Sequence, residues 1–120
     1  MTLGWHWILD ALDCEPALLA DRSVLSRALI ELPQQLGLTR VGEPQLFEHH
    51  DGDGLTLAGI TLLAESHLSL HARPAQRVLH VDLFSCAPFD PVAARAHLRA
   101  LYPFREALEQ TLERGGPVRR

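Results

Sequence analysis

With 120 residues, 47% hydrophobic and 22% charged, the chain has the size and balance of one packed globular domain. Its formal net charge is −4 and its basic residues form no long block, which argues against nucleic acid as a partner. No apolar stretch is long enough to span a bilayer and no signal-like segment opens the chain, so a cytoplasmic protein without a membrane partner is expected.

In chain order, residues 5–12 are rich in aromatic and aliphatic side chains and predict a strand. A turn is expected from Asp13 to Pro16. Residues 21–36 predict a helix, because Leu25, Ala28, Leu29, Leu32 and Leu36 recur at helical spacing. Pro33 predicts a kink or an early stop, and Gly37 suits a C-terminal cap. A second strand is expected within residues 40–49. Asp51-Gly52-Asp53-Gly54 is a hairpin signal leading into the apolar run 55–64. Residues 67–71 and 78–84 alternate apolar and polar side chains and predict two more strands, with a turn at Pro74 between them. Asp90 and Pro91 suit an N-cap and a first helical residue. Ala94, Leu98, Leu101, Leu108 and Leu112 predict the apolar stripe of a last helix, split near Tyr102 by Pro103.

Strands in runs, rather than in strict alternation with helices, predict an α+β fold. The expected form is a two-layer sandwich: a mostly antiparallel sheet with two main helices packed on one face. One domain is expected over residues 1–113, and residues 114–120 are expected to be a frayed tail. A domain this small buries a modest share of its surface, so a second subunit is a natural cover for the other sheet face. Cys14 and Cys86 are expected to stay free in a reducing compartment. His49 and His50 adjoin acidic turn residues without ligand spacing, so no metal site is expected.

Singly, Glu65, Ser66, His71 and Cys86 are ordinary. A serine between strands is usually a turn residue, and a lone cysteine is usually a small buried hydrophobe. Together they form a pattern. Ala64-Glu65-Ser66-His67-Leu68-Ser69-Leu70-His71 resembles the cleavage-site motif of the prokaryotic-type, pyruvoyl-dependent S-adenosylmethionine decarboxylase proenzymes. Val81-Asp82-Leu83-Phe84-Ser85-Cys86 resembles that family's downstream strand, which ends in a reactive cysteine. Leu3-Gly4-Trp5-His6 followed by Cys14 resembles its opening strand and turn.

The resemblance implies a self-cleaving decarboxylase. Ser66 would attack the Glu65 carbonyl and turn the amide into an ester, provided the turn is held in a near-attack geometry. His71 would remove the α-proton of the esterified serine. Elimination and hydrolysis would leave a β chain of residues 1–65 and an α chain of residues 66–120 that begins with a pyruvoyl group. That ketone would form a Schiff base with a substrate amine and accept the electrons left by departing carbon dioxide. Cys86 would return a proton, a role that suits an ordinary thiol, which is mostly protonated near neutrality. The implied assembly is a homodimer of processed units, with pocket residues supplied across the interface. The implied substrate is S-adenosylmethionine, whose product feeds spermidine biosynthesis.

The chain departs from the family pattern around the nucleoside. The family follows its second His with Thr-Trp-Pro-Glu; here the run is Ala72-Arg73-Pro74-Ala75. Arg73 can stack its planar guanidinium on a base, although it brings a positive charge towards a sulfonium, and Ala75 offers a ribose no hydrogen bond. Phe47 is the aromatic candidate for the opposite side of the adenine. The processing serine of the family maps to Ala58, with Thr56 the nearest hydroxyl, and Ala87 replaces a glycine after the cysteine. Two alternatives stay open. One is decarboxylation of a smaller amino acid such as ornithine or arginine, with Asp10 or Asp82 receiving a distal cation. The other is a non-catalytic paralogue that regulates an active partner.

Overall fold

The first strand shows how the sequence builds the core. In β1 (Thr2–Leu12), Trp7, Leu9 and Ala11 are buried while His6, Ile8 and Asp10 face the other way, as the two-residue repeat of a strand requires. The computed structural model describes residues 1–116. A short helix, α1 (Pro16–Leu19), leads into α2 (Arg22–Gln35). Asp21 caps α2 by accepting from the backbone N–H groups of Ser23 and Val24. Pro33 stops the helix within a turn, and Gly37 beyond it takes a φ of +73°. There follow β2 (Arg40–Asp51), β3 (Gly54–Leu63), β4 (Ser66–Arg73), β5 (Val78–Ser85), α3 (Pro91–Leu101) and β6 (Glu106–Gly115).

The strands form one six-stranded sheet in the order β2-β3-β4-β5-β1-β6, and every neighbouring pair is antiparallel. Helix α2 packs across β2, β3 and β4 and against α3, so both main helices lie on one face. This is the expected α+β two-layer sandwich. Leu25, Leu29 and Leu32 of α2 and Leu98 of α3 meet Leu57, Leu68, Leu70 and Leu83 of the sheet in one core. Each such leucine contributes about 2 kcal/mol by leaving water. Gly59 sets how closely the layers approach, because a Cβ there would overlap the Leu29 side chain.

Two expectations are corrected at the C-terminal end. The helix does not resume beyond Pro103. Leu108 and Leu112 lie on β6, 61% and 42% exposed, and belong to no helical stripe. The frayed tail does not begin at Arg114, since Arg114 and Gly115 are still paired in β6; residues 117–120 lie outside the described residues. The reason is tertiary. β6 pairs with β1 from Leu12↔Glu106 to Thr2↔Gly115, and a ladder of that length outweighs the weak helical preference of a short segment after a proline. No helix among the described residues is long and apolar enough to cross a membrane.

The register places chemistry on the face that carries no helices. One row across it reads Phe47, Ala58, His71, His80, Asp10 and Leu108. The next reads Gln45, Ile60, Ser69, Asp82, Ile8 and Gln110. A third contains Leu62, His67, Phe84, His6 and Leu112.

Candidate active site

Glu65 and Ser66 lie at the hairpin between β3 and β4. Leu63 and Ser66 are the last paired residues, so Ala64 and Glu65 are the two turn residues. Glu65 has a φ of +61°, a left-handed conformation that costs a side-chain-bearing residue about 1 kcal/mol. The peptide bond into Ser66 therefore starts from a strained residue, the condition that a near-attack geometry needs.

Cys86 closes on this turn from the end of β5. Its thiol donates to the Glu65 carbonyl oxygen at 3.0 Å, and its backbone N–H donates to Ser66 Oγ at 3.1 Å. Ser85 shapes the approach, because its hydroxyl donates to the Ala87 carbonyl at 2.7 Å and accepts from the Ala87 N–H at 3.1 Å. The register makes the meeting inevitable. His67 pairs with Phe84, so the residues preceding His67 reach the residues following Phe84. Cys86 is exposed, whereas Cys14 is fully buried. Burial pushes the Cys14 thiol up to about 11 and leaves it a structural residue.

His71 is not beside Ser66 in the same chain. It lies five residues further along β4, roughly 16 Å away at ordinary strand rise. It also points to the helix-free face, opposite the inward-pointing Leu68, Leu70 and Ala72. Ala58 sits directly across from it on β3 and His80 across from it on β5. His80 Nδ1 donates to Asp10 Oδ1 at 2.7 Å, and His6 Nε2 lies 3.2 Å from Asp82 Oδ1. Both acids are thus engaged by histidines, not by an arginine.

The cavities separate the same way. Glu65, Ser66, His67, Phe84 and Arg114 line a cavity of about 490 Å³. Phe47, Ala58, His71, Arg73 and His80 line another of about 310 Å³ at the far end of the strands. Phe47 and Arg73 therefore accompany His71, and neither approaches Ser66. The Arg73 Nε is buried with no hydrogen-bond partner among the described residues. The sequence reading left Arg114 out of any site. The signal was the alternation of Leu108, Gln110, Leu112 and Arg114 on one face of β6, which helical spacing of the two leucines masked.

A left-handed Glu65-Ser66 turn with the Cys86 thiol on its carbonyl is thus carried at one end of a two-layer antiparallel sandwich. A family model described as S-adenosylmethionine decarboxylase matches residues 5–115. The chain belongs to the S-adenosylmethionine decarboxylase family. The S-adenosylmethionine decarboxylase proenzyme of Symbiobacterium thermophilum is 32% identical over 115 residues, covering 95% of this chain and 84% of that protein. The proenzyme of the same name from Parasynechococcus marenigrum is 36% identical over 85 residues, covering 70% of this chain but 62% of that protein, less than two thirds of its length. The crystal structure of the adenosylmethionine decarboxylase from Aquifex aeolicus shares the fold with a TM-score of 0.81 at 21% identity, covering 99% of this chain and 96% of that one.

Proposed function

We propose that the chain cuts itself between Glu65 and Ser66 and then decarboxylates S-adenosylmethionine, supplying the aminopropyl donor for spermidine in the cytoplasm. The observation that carries this is the contact between the Cys86 thiol and the Glu65 carbonyl oxygen. In self-cleavage, Ser66 Oγ attacks that carbonyl. The Cys86 thiol is placed to polarise it, and the strain at Glu65 raises the starting point. The ester that results needs a base at the Ser66 α-carbon. The distance from Ser66 to His71 along β4 favours His71 of a second copy of the chain for this task.

The helix-free face suits such a partner. Phe47, Ile60, Leu62, Leu108 and Leu112 all stand 40% or more exposed on it, more apolar surface than a solvated sheet face normally keeps. A second copy placed face to face would cover them and bring its own row of His71, His80 and Asp10 over the first chain. The proposed active form is therefore a homodimer of processed units.

Residue 66 suits a pyruvoyl group. It begins a strand, it is part-exposed on a cavity wall, and its neighbours Cys86 and Glu65 are fixed by hydrogen bonds. Such a group supplies an electrophile for a substrate amine and an electron sink beside the carboxylate that leaves. The chain's own contribution is to hold the substrate, exclude water and return a proton from Cys86 Sγ.

Arg73 motivates a second reading, a substrate without adenine, since a buried, unpartnered guanidinium Nε stands at the sequence position where the family carries an aromatic. Against ornithine or arginine, Asp10 and Asp82 are already held by His80 and His6. Intact mass under denaturing conditions tests the cleavage. Two chains that part between residues 65 and 66, absent in a Ser66→Ala variant, are expected. A single uncut chain in the unaltered protein sinks the reading. Carbon dioxide release from S-adenosylmethionine, ornithine and arginine then ranks the substrates.

A further inference from the structure

The cavity beside Ser66 carries a permanent positive charge on Arg114, and Glu65 also lines it. Arg114 lies on β6 and pairs with Gly4 of β1. Its guanidinium carbon sits 5.0 Å from the centroid of the Phe84 ring. That ring is itself fixed. The His6 and His67 rings flank it at 6.4 and 6.0 Å, and Gly4 has no side chain because a Cβ there would come within 2.8 Å of the Phe84 ring carbons. Phe84 stands two residues before Cys86, so the platform under Arg114 and the thiol on the Glu65 carbonyl belong to one strand end. Arg114 and Ser66 line the same cavity of about 490 Å³.

Arg22 pairs with Glu48, Arg27 with Glu31, Arg40 with Glu43 and Arg95 with Glu109; Arg73, Arg77, Arg99 and Arg105 share with Arg114 the lack of an ion pair among the described residues, and of these Arg114 lines the cavity of Ser66. Arg114 pairs with no carboxylate among the described residues. A guanidinium held over an aromatic ring by cation–π attraction still has N–H donors to offer, and their fork matches a carboxylate. A substrate amine that reaches residue 66 brings its α-carboxylate within a few bond lengths of that residue, which is inside this cavity.

We propose that Arg114 receives the carboxylate of the amino-acid substrate. The inference rests on the decarboxylase reading and adds to it the residue that selects amino acids over their amines. Holding a carboxylate that departs as neutral carbon dioxide favours the bound substrate over the transition state. The effect of removing Arg114 therefore falls on KM more than on kcat. The same chemistry has a second source, the terminal carboxylate that cleavage would create on Glu65, and the experiment separates the two.

The test uses the cleaved full-length protein and whichever of S-adenosylmethionine, ornithine and arginine the unaltered enzyme turns over fastest. Rates are normalised to the cleaved fraction measured by mass. Arg114→Met and Arg114→Gln are expected to raise KM about tenfold or more, and Arg114→Lys to recover most of that loss. Inhibition by the matching decarboxylated amine is expected to shift by less than about twofold, since it lacks the carboxylate. An unchanged KM, or equal losses for amino acid and amine, overturns the assignment. An unchanged KM together with loss of the 1–65 chain on native size exclusion assigns Arg114 to the Glu65 terminus instead, and also overturns it. An unaltered protein that never cleaves, or cleaves and releases no carbon dioxide, fails before any Arg114 variant is made; that result overturns the decarboxylase reading and this assignment with it.

Discussion

Cys86 donates its thiol proton towards the carbonyl oxygen of Glu65 at 3.0 Å, so the residue proposed to protonate product also touches the bond proposed to break. One side chain would then serve both halves of the life of the enzyme. In the first it draws electron density from the carbonyl that Ser66 Oγ attacks. In the second it returns a proton on the same side of residue 66.

Replacing Cys86 separates these halves. Cys86→Ala is expected to slow self-cleavage by roughly fivefold, the loss of one hydrogen bond of about 1 kcal/mol, and to abolish productive decarboxylation. Cys86→Ser keeps a donor and should cleave at closer to the original rate. A time course of intact mass measures both. Cleavage of the alanine variant at the unaltered rate would show that the thiol does nothing for the carbonyl.

Glu65 stores strain that glycine would release. In an uncut Ser66→Ala background, Glu65→Gly is expected to stabilise the fold by about 1 kcal/mol, or roughly 4 °C in melting temperature for a domain of this size. In the Ser66 chain the same change is expected to slow cleavage. A lower melting temperature in the first background would remove strain from the explanation.

If His71 acts across two copies, defects in different copies complement one another. A His71→Ala chain is expected to stay uncut alone, and a Ser66→Ala chain must stay uncut. Mixed during refolding, the Ser66→Ala chain lends its His71 and the His71→Ala chain is cut. No cut product in the mixture sinks the shared-site geometry. Ala58→Ser, which puts a hydroxyl directly across β3 and β4 from His71, is expected to speed cleavage.

Alkaline pH should expose the buried thiol. The Cys14 pKa rises from 9.0 to about 11, chiefly through burial and secondly against a lowering hydrogen bond from the Leu79 backbone. A raised folded value means that the neutral thiol is favoured on folding. Its stabilising effect is complete below the unfolded pKa and disappears as pH climbs through the folded one. Melting temperature is therefore expected to fall between about pH 9 and 11, and the slope to flatten in Cys14→Ala. Tyr102, also raised by burial, extends the loss to higher pH in both proteins. An unaltered slope in the variant would assign the loss elsewhere.

Much of the fold was legible because local chemistry and tertiary structure agreed. The caps at Asp21 and Asp90, the leucines of α2 and the alternation in β4 and β5 each point to the element that forms. The 106–115 segment was misread because Leu108 and Leu112 satisfy helical spacing and a strand's spacing equally. Only the presence of β1 beside them selects the strand. Arg114 was lost for the same reason, since a residue read as tail is placed in no site.

The amino-acid sequence by itself determined the family and the sandwich of helices on a sheet, and it singled out Glu65, Ser66 and Cys86 as candidates, since these depend on residue type, order and short-range period. It did not determine that His71 stands a strand's length from Ser66, that Arg114 lines a cavity with Glu65 and Ser66, or that Asp10 and Asp82 are taken by histidines. Those facts follow from register between strands far apart in the chain. A one-residue shift in that register reverses every facing side chain, and it is set by how the whole sheet buries its leucines against α2 and α3.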